Sequence, residues 1–410
     1  MVPVETKLRI VSVKKRILLA VTVDMSLSFM DGFPAFLAAR GWEVHVVSSP
    51  GPLLAALEAQ DGVVVHPIEM ARNPSLFGDL ISLFEWLRVV RKVRPHLISV
   101  GTPKAGLLGI LAARILRVPR RVYHLRGLRL ETSRGISRFF LLRVERFVVS
   151  GAHRVLSVSF SLKDRALELR VASAEKLIVL GHGSSNGIDL KAFQKSNFSE
   201  ESLEALRLST GLDPSAPVVG FVGRLTEDKG LRVLADARAL LHERGIDHQL
   251  LVVGGIDGRG GDTFVSTIMT TGRPAFVTGR VMHPAIYYQL MDVLCLPTLR
   301  EGFPNVVLEA AAAGIPAVTT DATGAIDSVI DGETGFIAHM DSAVEIADQL
   351  ERLLSSESLC ESLGEKAKAR ATDFYSREFV WELTEGFYNS ELELAGVYSA
   401  RAREATGGRA

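Results

Sequence analysis

This sequence predicts two α/β domains, each a doubly wound parallel sheet. Three observations carry that expectation. The chain of 410 residues exceeds what one ordinary core organises. Short apolar runs of strand type alternate with longer, helically spaced segments along most of its length. The alternation falls into two series, separated by a polar stretch that ends in a proline-containing loop.

In the first series Ile17–Val23, Glu43–Ser48, Val63–Pro67, Leu97–Val100, Arg121–Leu125 and Arg154–Val158 read as strands. Phe33–Arg40 and Leu80–Val93 between them have helical spacing. A helical stretch and the loop Asp213-Pro214-Ser215-Ala216-Pro217 follow, within 200–217. The second series runs Val218–Val222, Gln249–Val253, Ala275–Thr278, Val293–Pro297 and Ala317–Thr320. These limits give a first domain over 1–190, a second over 191–385 and a tail over 386–410. Glu378–Leu394 reads as a helix carrying Phe379, Trp381, Phe387 and Tyr388, and Ala400–Ala410 as a frayed end.

Composition narrows the class. Apolar residues make up 47%, enough for sizeable cores, and no run reaches the roughly 18 apolar residues of a membrane span. Lys14-Lys15-Arg16 followed by Ile17–Val23 imitates a signal peptide, but Asp24 ends the run and a first strand reads better. Cys295 and Cys360 offer no disulfide framework or zinc spacing, so the chain reads as cytoplasmic. The net charge of zero conceals an asymmetry: residues 1–180 carry 27 Lys+Arg against 14 Asp+Glu, and the remainder 20 against 33. Ten arginines fall between Arg114 and Arg146, around Phe139-Phe140-Leu141-Leu142 and Phe147-Val148-Val149. Such a segment suits docking on an anionic membrane surface by the first domain. The other reading is a core stripe with solvated arginines. Nucleic acid is not an expected partner.

Glu301 and Glu309 stand eight positions apart, separated by Gly302-Phe303-Pro304-Asn305 and an apolar run. The run from Val306 reads as a helix, and Pro304 fits the loop or first turn before it. Free N–H groups at Asn305 and Val306, with the helix dipole behind them, form an anion site suited to phosphate. One carboxylate then faces whatever the phosphate carries, and the other reaches further along the ligand. In Gly220–Gly230, Arg224 and Lys229 bracket a loop at a strand end, where two cations neutralise a diphosphate. The loop 254–262 is glycine-rich, but Thr263 stands where a dinucleotide fingerprint needs its third glycine.

The stretch Arg300–Glu309 and the Gly223-Arg224…Lys229-Gly230 segment resemble the motifs of retaining GT-B glycosyltransferases of glycosyltransferase family 4. Thr102–Gly109, Leu125–Glu131, Gly181–Asp189 and Asp321–Asp327 resemble a bacterial subgroup that builds capsular, exopolysaccharide and O-antigen repeat units. The resemblance spans nearly the whole chain and is more specific in its donor half. It implies the GT-B arrangement of two Rossmann-like domains facing a central cleft, with the C-terminal helix crossing back to the first domain. Packing of that helix on its own domain stays equally open.

The resemblance also implies roles. Glu301 contacts the donor sugar and Glu309 the ribose. Gly223, Arg224 and Lys229 hold the diphosphate, together with the loop Gly302, Phe303, Pro304, Asn305 and Val306. Arg280 and Val281 lie against the base. Glu301, Arg224 and Lys229 form the catalytic set. The implied activity moves a hexose or N-acetylamino sugar from a UDP-sugar to an undecaprenyl-diphosphate-linked saccharide, with retention by front-face attack. No cofactor is expected, and no metal either, since no Asp-x-Asp pair precedes a ligand-like cluster and Arg224 and Lys229 would replace the ion.

Two departures stand out. The loop 254–262 lacks the frequent Val-Gly-x-Gly-Pro pattern, and Arg126-Gly127 replaces a frequent His-Gly. Arginine cannot serve as a base at neutral pH. Arg126, with Lys104, is therefore an acceptor-side or diphosphate candidate. His124 shares a face with Arg126 and reads as a core histidine or an acceptor-side one. Two other functions fit a GT-B fold: a nonhydrolysing sugar-nucleotide epimerase and a non-catalytic scaffold module.

Overall fold

The computed structural model describes residues 14–71, 75–258, 260–270 and 274–397. Thirteen strands are described: β1 Lys15–Ala20, β2 Trp42–Ser48, β3 Val63–Pro67, β4 Leu97–Gly101, β5 Arg120–Leu125, β6 Arg154–Ser157, β7 Leu177–Ile178, β8 Val218–Val222, β9 Gln249–Val253, β10 Ala275–Val277, β11 Val293–Leu296, β12 Ala317–Thr320 and β13 Gly335–Ala338. They form a seven-stranded sheet ordered β3-β2-β1-β4-β5-β6-β7 and a six-stranded sheet ordered β10-β9-β8-β11-β12-β13. The described pairings are parallel. Both orders reverse once, between β1 and β4 and between β8 and β11. Such switch points are where open parallel sheets bind ligands, beyond the carboxyl ends of the strands.

Two compact units divide the chain. The first comprises Met1–Tyr123, Gly151–His153 and Phe387–Ala410, and the second His124–Ser150 with Arg154–Gly386. In the first unit β1, β2 and β4 are almost wholly buried, as strands covered on both faces must be. The expected strand end at Val23 moves back to Ala20. Beyond it the Thr22 amide donates to Thr102 Oγ1 at 2.9 Å, so a side chain takes the donor that a ladder would use. The helix Leu76–Val93 starts four residues before the expected Leu80. Ser75 caps it, Oγ accepting from the Gly78 amide at 3.3 Å, while Asp79 accepts from the Ser75 amide at 3.1 Å.

The helix Arg377–Leu394 contributes to both units. In the second, Trp381 Nε1 donates to Asn186 Oδ1 at 2.9 Å. In the first, the Tyr388 hydroxyl meets Ser99 Oγ at 2.7 Å beneath Trp42, and Arg120 pairs with Glu391 at 2.5 Å. β7 and β13 were not expected. One has two residues, and the other is a Gly-Phe-Ile-Ala run too short to show a period. The frayed end predicted at Ala400–Ala410 lies outside the described residues.

The ten arginines of 114–146 prove to be of two kinds. Arg121 donates to the carbonyls of Gly151 and Val118 at 2.7 and 2.9 Å, and Arg146 to those of Leu169 and Arg170 at 2.8 and 3.0 Å. Those, with Arg120, serve the fold rather than an anionic partner. Arg134 and Arg143 are exposed on or beside the helix Gly135–Gly151. The aromatic stripe of that helix is not core: Ile136, Phe139, Phe140 and Phe147 are exposed, while Val148 and Val149 are buried.

Candidate active site

The site assembles at the switch point of the second sheet. Gly223 and Arg224 follow β8, and Thr298 to Glu301 follow the neighbouring β11. A short turn, Glu227–Lys229, is closed by Gly230 at φ +69°. A Cβ on Gly230 would fall 1.7 Å from the Pro297 carbonyl oxygen, so only glycine permits this approach. The turn is tied to the β11 loop by the Asp228 carbonyl, which accepts from the Leu299 amide at 2.9 Å and from Thr298 Oγ1 at 3.1 Å. This approach brings Lys229 Nζ onto the Glu301 carboxylate, both largely buried.

A second ion pair braces the first. Arg300 reaches Asp228 Oδ2 at 2.8 Å and Thr132 Oγ1 at 3.2 Å. Burial pushes the Asp228 pKa upward. The Thr226 hydroxyl and the cations Arg300, Lys229 and Arg224 outweigh it and hold the carboxyl below its ordinary range. Arg224 itself is exposed and pairs with Asp257 Oδ2 at 2.7 Å. Asp257 comes from the glycine-rich loop 254–262, which lies along the β8 loop: the Leu225 amide donates to Gly255 O at 2.9 Å and the Asp257 amide to Leu225 O at 3.3 Å. Both candidate phosphate cations therefore carry a carboxylate partner.

The helix Asn305–Ala313 begins behind these charges, one residue earlier than expected. Pro304 occupies its N-cap without a side-chain cap. Among the described residues the Asn305 and Val306 amides have no hydrogen-bond partner. The buried Asn305 Oδ1 has none either. Gly302 precedes it in a confined place. Its carbonyl accepts from Ser159 Oγ at 2.7 Å, and the Glu301 amide donates to Thr323 O at 2.8 Å. A Cβ on Gly302 would stand 2.2 Å from the Arg126 carbonyl oxygen. The Arg126-Gly127 segment thus packs directly on the loop that carries Glu301. Phe303 is buried, with its ring 5.5 Å from that of Tyr375.

Glu309 lies just over one turn into the helix and accepts from the Tyr288 hydroxyl at 2.7 Å. Burial raises its pKa, and the Tyr288 hydrogen bond and Arg377 oppose that rise. A carboxylate that accepts from ribose hydroxyls must be ionised. On the ribose role that the resemblance implies for Glu309, affinity for UDP should therefore fall on acidification, starting at a higher pH than for an ordinary glutamate. Tyr288→Phe removes a donor that lowers the Glu309 pKa, so the same fall should begin at still higher pH. Calorimetric titration of UDP against pH checks this. An unmoved midpoint in Tyr288→Phe, or one moved downward, would contradict it.

The remaining candidates fall in several places. Gly279 at φ +71° follows β10 and bridges to Gly254, with Arg280 exposed and Val281 half-buried beyond it. His124 and Arg126 flank the buried Leu125 on one face of β5 and its extension, as alternation predicts. Arg126 donates to the Ser185 carbonyl at 3.1 Å. Burial, then the charge of Arg126, puts the His124 pKa well below its ordinary value, so the imidazole is neutral at pH 7. Lys104 belongs to the first unit. There it opens the helix Pro103–Ile115 at the β1/β4 switch point and pairs with Asp79 at 2.7 Å. Residues missed from sequence are Asp228, Arg300, Asp257, Ser159, Thr323 and Tyr288. Arg300 and Asp228 stand inside the quoted motifs, and their chemistry was the available signal. Thr323, whose carbonyl takes the Glu301 amide, stands inside the quoted stretch Asp321–Asp327, whereas Ser159 acts from a distant strand end and left no signal.

Two family models match this chain. One, for group 1 glycosyl transferases, covers residues 204–370, and the other, for a glycosyl transferase 4-like domain, covers 35–183. The capsular polysaccharide biosynthesis glycosyltransferase CapM of Staphylococcus aureus is 37% identical over 374 residues, 91% of this chain and 96% of that one. A Campylobacter jejuni N,N'-diacetylbacillosaminyl-diphospho-undecaprenol alpha-1,3-N-acetylgalactosaminyltransferase is 25% identical, over 76% of this chain and 81% of its own. Among solved structures, a Rickettsia africae glycosyltransferase superposes with a TM-score of 0.76 at 19% identity, covering 93% of this chain and 99% of its own. Anabaena HepE in complex with UDP and glucose gives 0.75 at 19% identity, covering 92% and 100%. The two parallel sheets share the GT-B fold with these neighbours, and the chain belongs to the group 1, family 4-type glycosyltransferases.

Proposed function

We propose that this glycosyltransferase moves a hexose or N-acetylamino sugar from a UDP-sugar to a lipid-linked saccharide in the biosynthesis of a capsule-type cell-surface polysaccharide. The observation that carries the reading is Lys229 held on Glu301 just before the free amides of Asn305 and Val306, with Arg224 at the end of the neighbouring strand β8. That is a cationic, donor-rich cradle for a diphosphate with a carboxylate set toward its substituent. Glu309, held by Tyr288, takes the ribose. Support for the pathway comes from the staphylococcal relative named for capsular polysaccharide biosynthesis, and for the acceptor from the Campylobacter relative named for a diphospho-undecaprenol substrate. UDP is favoured as the carrier by the Anabaena neighbour bound to UDP and glucose.

The step follows from the charges. The acceptor hydroxyl approaches the anomeric carbon on the face that the diphosphate leaves. The bond from that carbon to the phosphate oxygen breaks as the bond to the acceptor oxygen forms, so configuration is retained. The acceptor proton passes to the departing diphosphate. Arg224 exchanges Asp257 for phosphate as the donor enters. Lys229 bridges Glu301 and the growing negative charge, and the helix amides add fixed donors that need no reorganisation. No base among the protein side chains is required, consistent with a neutral His124 and a permanently charged Arg126.

Two cations at the diphosphate replace a divalent ion. Saturating EDTA should leave most of the activity in an acceptor-dependent UDP-release assay over a panel of UDP-sugars. Abolition by EDTA with rescue by magnesium or manganese would refute metal independence. Among the described residues no helix is long and apolar enough to cross a membrane. The exposed face of the helix Gly135–Gly151, where Arg143 stacks 5.6 Å over Phe139, supports docking on an anionic bilayer.

A further inference from the structure

The backbone of Glu301 rests on a loop that the donor chemistry leaves unexplained. Its amide donates to the Thr323 carbonyl at 2.8 Å. The next residue of that loop, Gly324, lies so close that an added Cβ would meet the carbonyl oxygens of Gly302 and Glu301 at 2.4 and 2.7 Å. Contact of backbone on backbone passes any shift of Gly324 directly to Glu301. What fixes Gly324 is a side-chain relay from the same unit. Its amide donates to Ser161 Oγ at 2.7 Å. The Ser161 hydroxyl donates in turn to the Asp327 carboxylate, which also accepts from the Ser161 amide at 3.1 Å. Ser161 stands in the first turn of the helix Phe160–Glu168, where free amides and the helix dipole favour a carboxylate. The N-cap of that helix, Ser159, is the residue that donates to the Gly302 carbonyl. From the other side Arg370 donates to the carbonyls of Asp327 and Ser328 at 2.9 and 2.7 Å. Asp327 is thus gripped through its side chain and its main chain at once.

We propose that Asp327 and Ser161 are positioning residues for sugar transfer. The Asp327 carboxylate fixes the Ser161 hydroxyl, the hydroxyl fixes the Gly324 amide, and the Thr323-Gly324 backbone sets where Glu301 presents its carboxylate. This role rests on the sugar-facing reading of Glu301 proposed above. The relay has a direction. A serine hydroxyl has one proton to give and lone pairs to accept with, whereas an ionised carboxylate only accepts. Asp327 therefore takes the Ser161 proton and leaves the Ser161 oxygen turned to the Gly324 amide. Bonds to a charged acceptor are the stronger kind, which suits a part that must not drift. An amide side chain at 327 could donate or accept, and the direction would be lost. The diphosphate cations Arg224 and Lys229 and the amides of Asn305 and Val306 take no part in the relay, so donor binding and sugar placement depend on different residues.

The test is steady-state kinetics of the full chain with a UDP-sugar and a lipid-linked saccharide, beside UDP calorimetry and melting curves. Ser161→Ala should lower kcat per folded molecule about tenfold or more, since a misplacement near 1 Å costs on the order of 10². The donor KM and the UDP affinity should stay within about twofold of wild type, the pattern of an interaction that matters only in the transition state. Ser161→Thr keeps the hydroxyl and should restore kcat. Asp327→Asn keeps the shape and an acceptor for the Ser161 amide, and should lower kcat in the same way but less. It makes the same comparison should Ser161→Ala fail to fold. The double variant should be no slower than Ser161→Ala alone, because one relay is broken once. Lys229→Ala, run alongside, separates this role from the donor cradle. Wild-type kcat in Ser161→Ala and Asp327→Asn, with collapse in Lys229→Ala, would overturn the positioning role and leave the cradle standing. Retained turnover in Lys229→Ala would remove the cradle and the positioning role with it. A loss in Ser161→Ala that only follows the folded fraction, or that Ser161→Thr does not restore, would make the pair a support of the fold and overturn the proposal.

Discussion

Lys229→Ala is expected to lower turnover by about 10²–10³-fold while the chain stays folded, the usual cost of removing one donor aimed at developing charge. Two effects combine there. The departing diphosphate loses a cation, and Glu301, largely buried, loses the partner that holds its carboxylate. Arg224→Ala should act in the same direction but less strongly. Its guanidinium is 55% exposed and bound to an exposed Asp257, so water and salt screen part of its charge. Steady-state kinetics with a UDP-sugar and acceptor, beside a melting curve, separate the two variants. Turnover within a few-fold of wild type in both would remove the diphosphate from this cradle.

Gly302→Ala should be as damaging without removing any functional group. The added Cβ would stand 2.2 Å from the Arg126 carbonyl oxygen and 2.6 Å from its carbon, and backbone cannot rotate away as a side chain does. On its far side the Gly302 carbonyl lies against Gly324, where an added Cβ would meet it at 2.4 Å. Relief therefore moves the whole Glu301-Gly302 segment. A displacement near 1 Å costs on the order of 10² in rate, and overpacking of this kind costs about 1–3 kcal/mol in stability. The expected result is a modestly lower melting temperature with a turnover loss of about a hundredfold or more. Wild-type turnover in a folded Gly302→Ala would show that this contact does not position Glu301.

The second sheet was legible because its strands are buried on both faces and so read as unbroken apolar runs, Val218–Val222 and Gln249–Val253 to the residue. The donor motifs were legible because phosphate chemistry there is local. A helix start, two cations and two carboxylates lie within short stretches of chain. What holds those stretches in place was not legible. Gly302 against Arg126, Glu301 on Thr323 and Glu309 under Tyr288 are contacts between segments remote in sequence, and periodicity carries no trace of them. Charge counting misled in one respect. It treated ten arginines as one surface, whereas Arg120, Arg121 and Arg146 are spent on internal carbonyls and a buried carboxylate. The glycine-rich loop 254–262 read only as a departure from a pattern. Folding gives it a place along the β8 loop and gives Asp257 a partner in Arg224.

The cradle around Lys229 and Glu301 is proposed to transfer a sugar from a nucleotide to an acceptor. The most direct measurement is UDP release from a panel of UDP-sugars with a lipid-linked saccharide present or absent, with the products resolved. UDP release with one sugar donor should depend on acceptor, give an elongated acceptor with the donor's anomeric configuration, and collapse in Lys229→Ala. A sugar nucleotide altered without any acceptor would make the chain an epimerase, and a folded chain that binds no UDP would make it a scaffold; either result would overturn sugar transfer at this site.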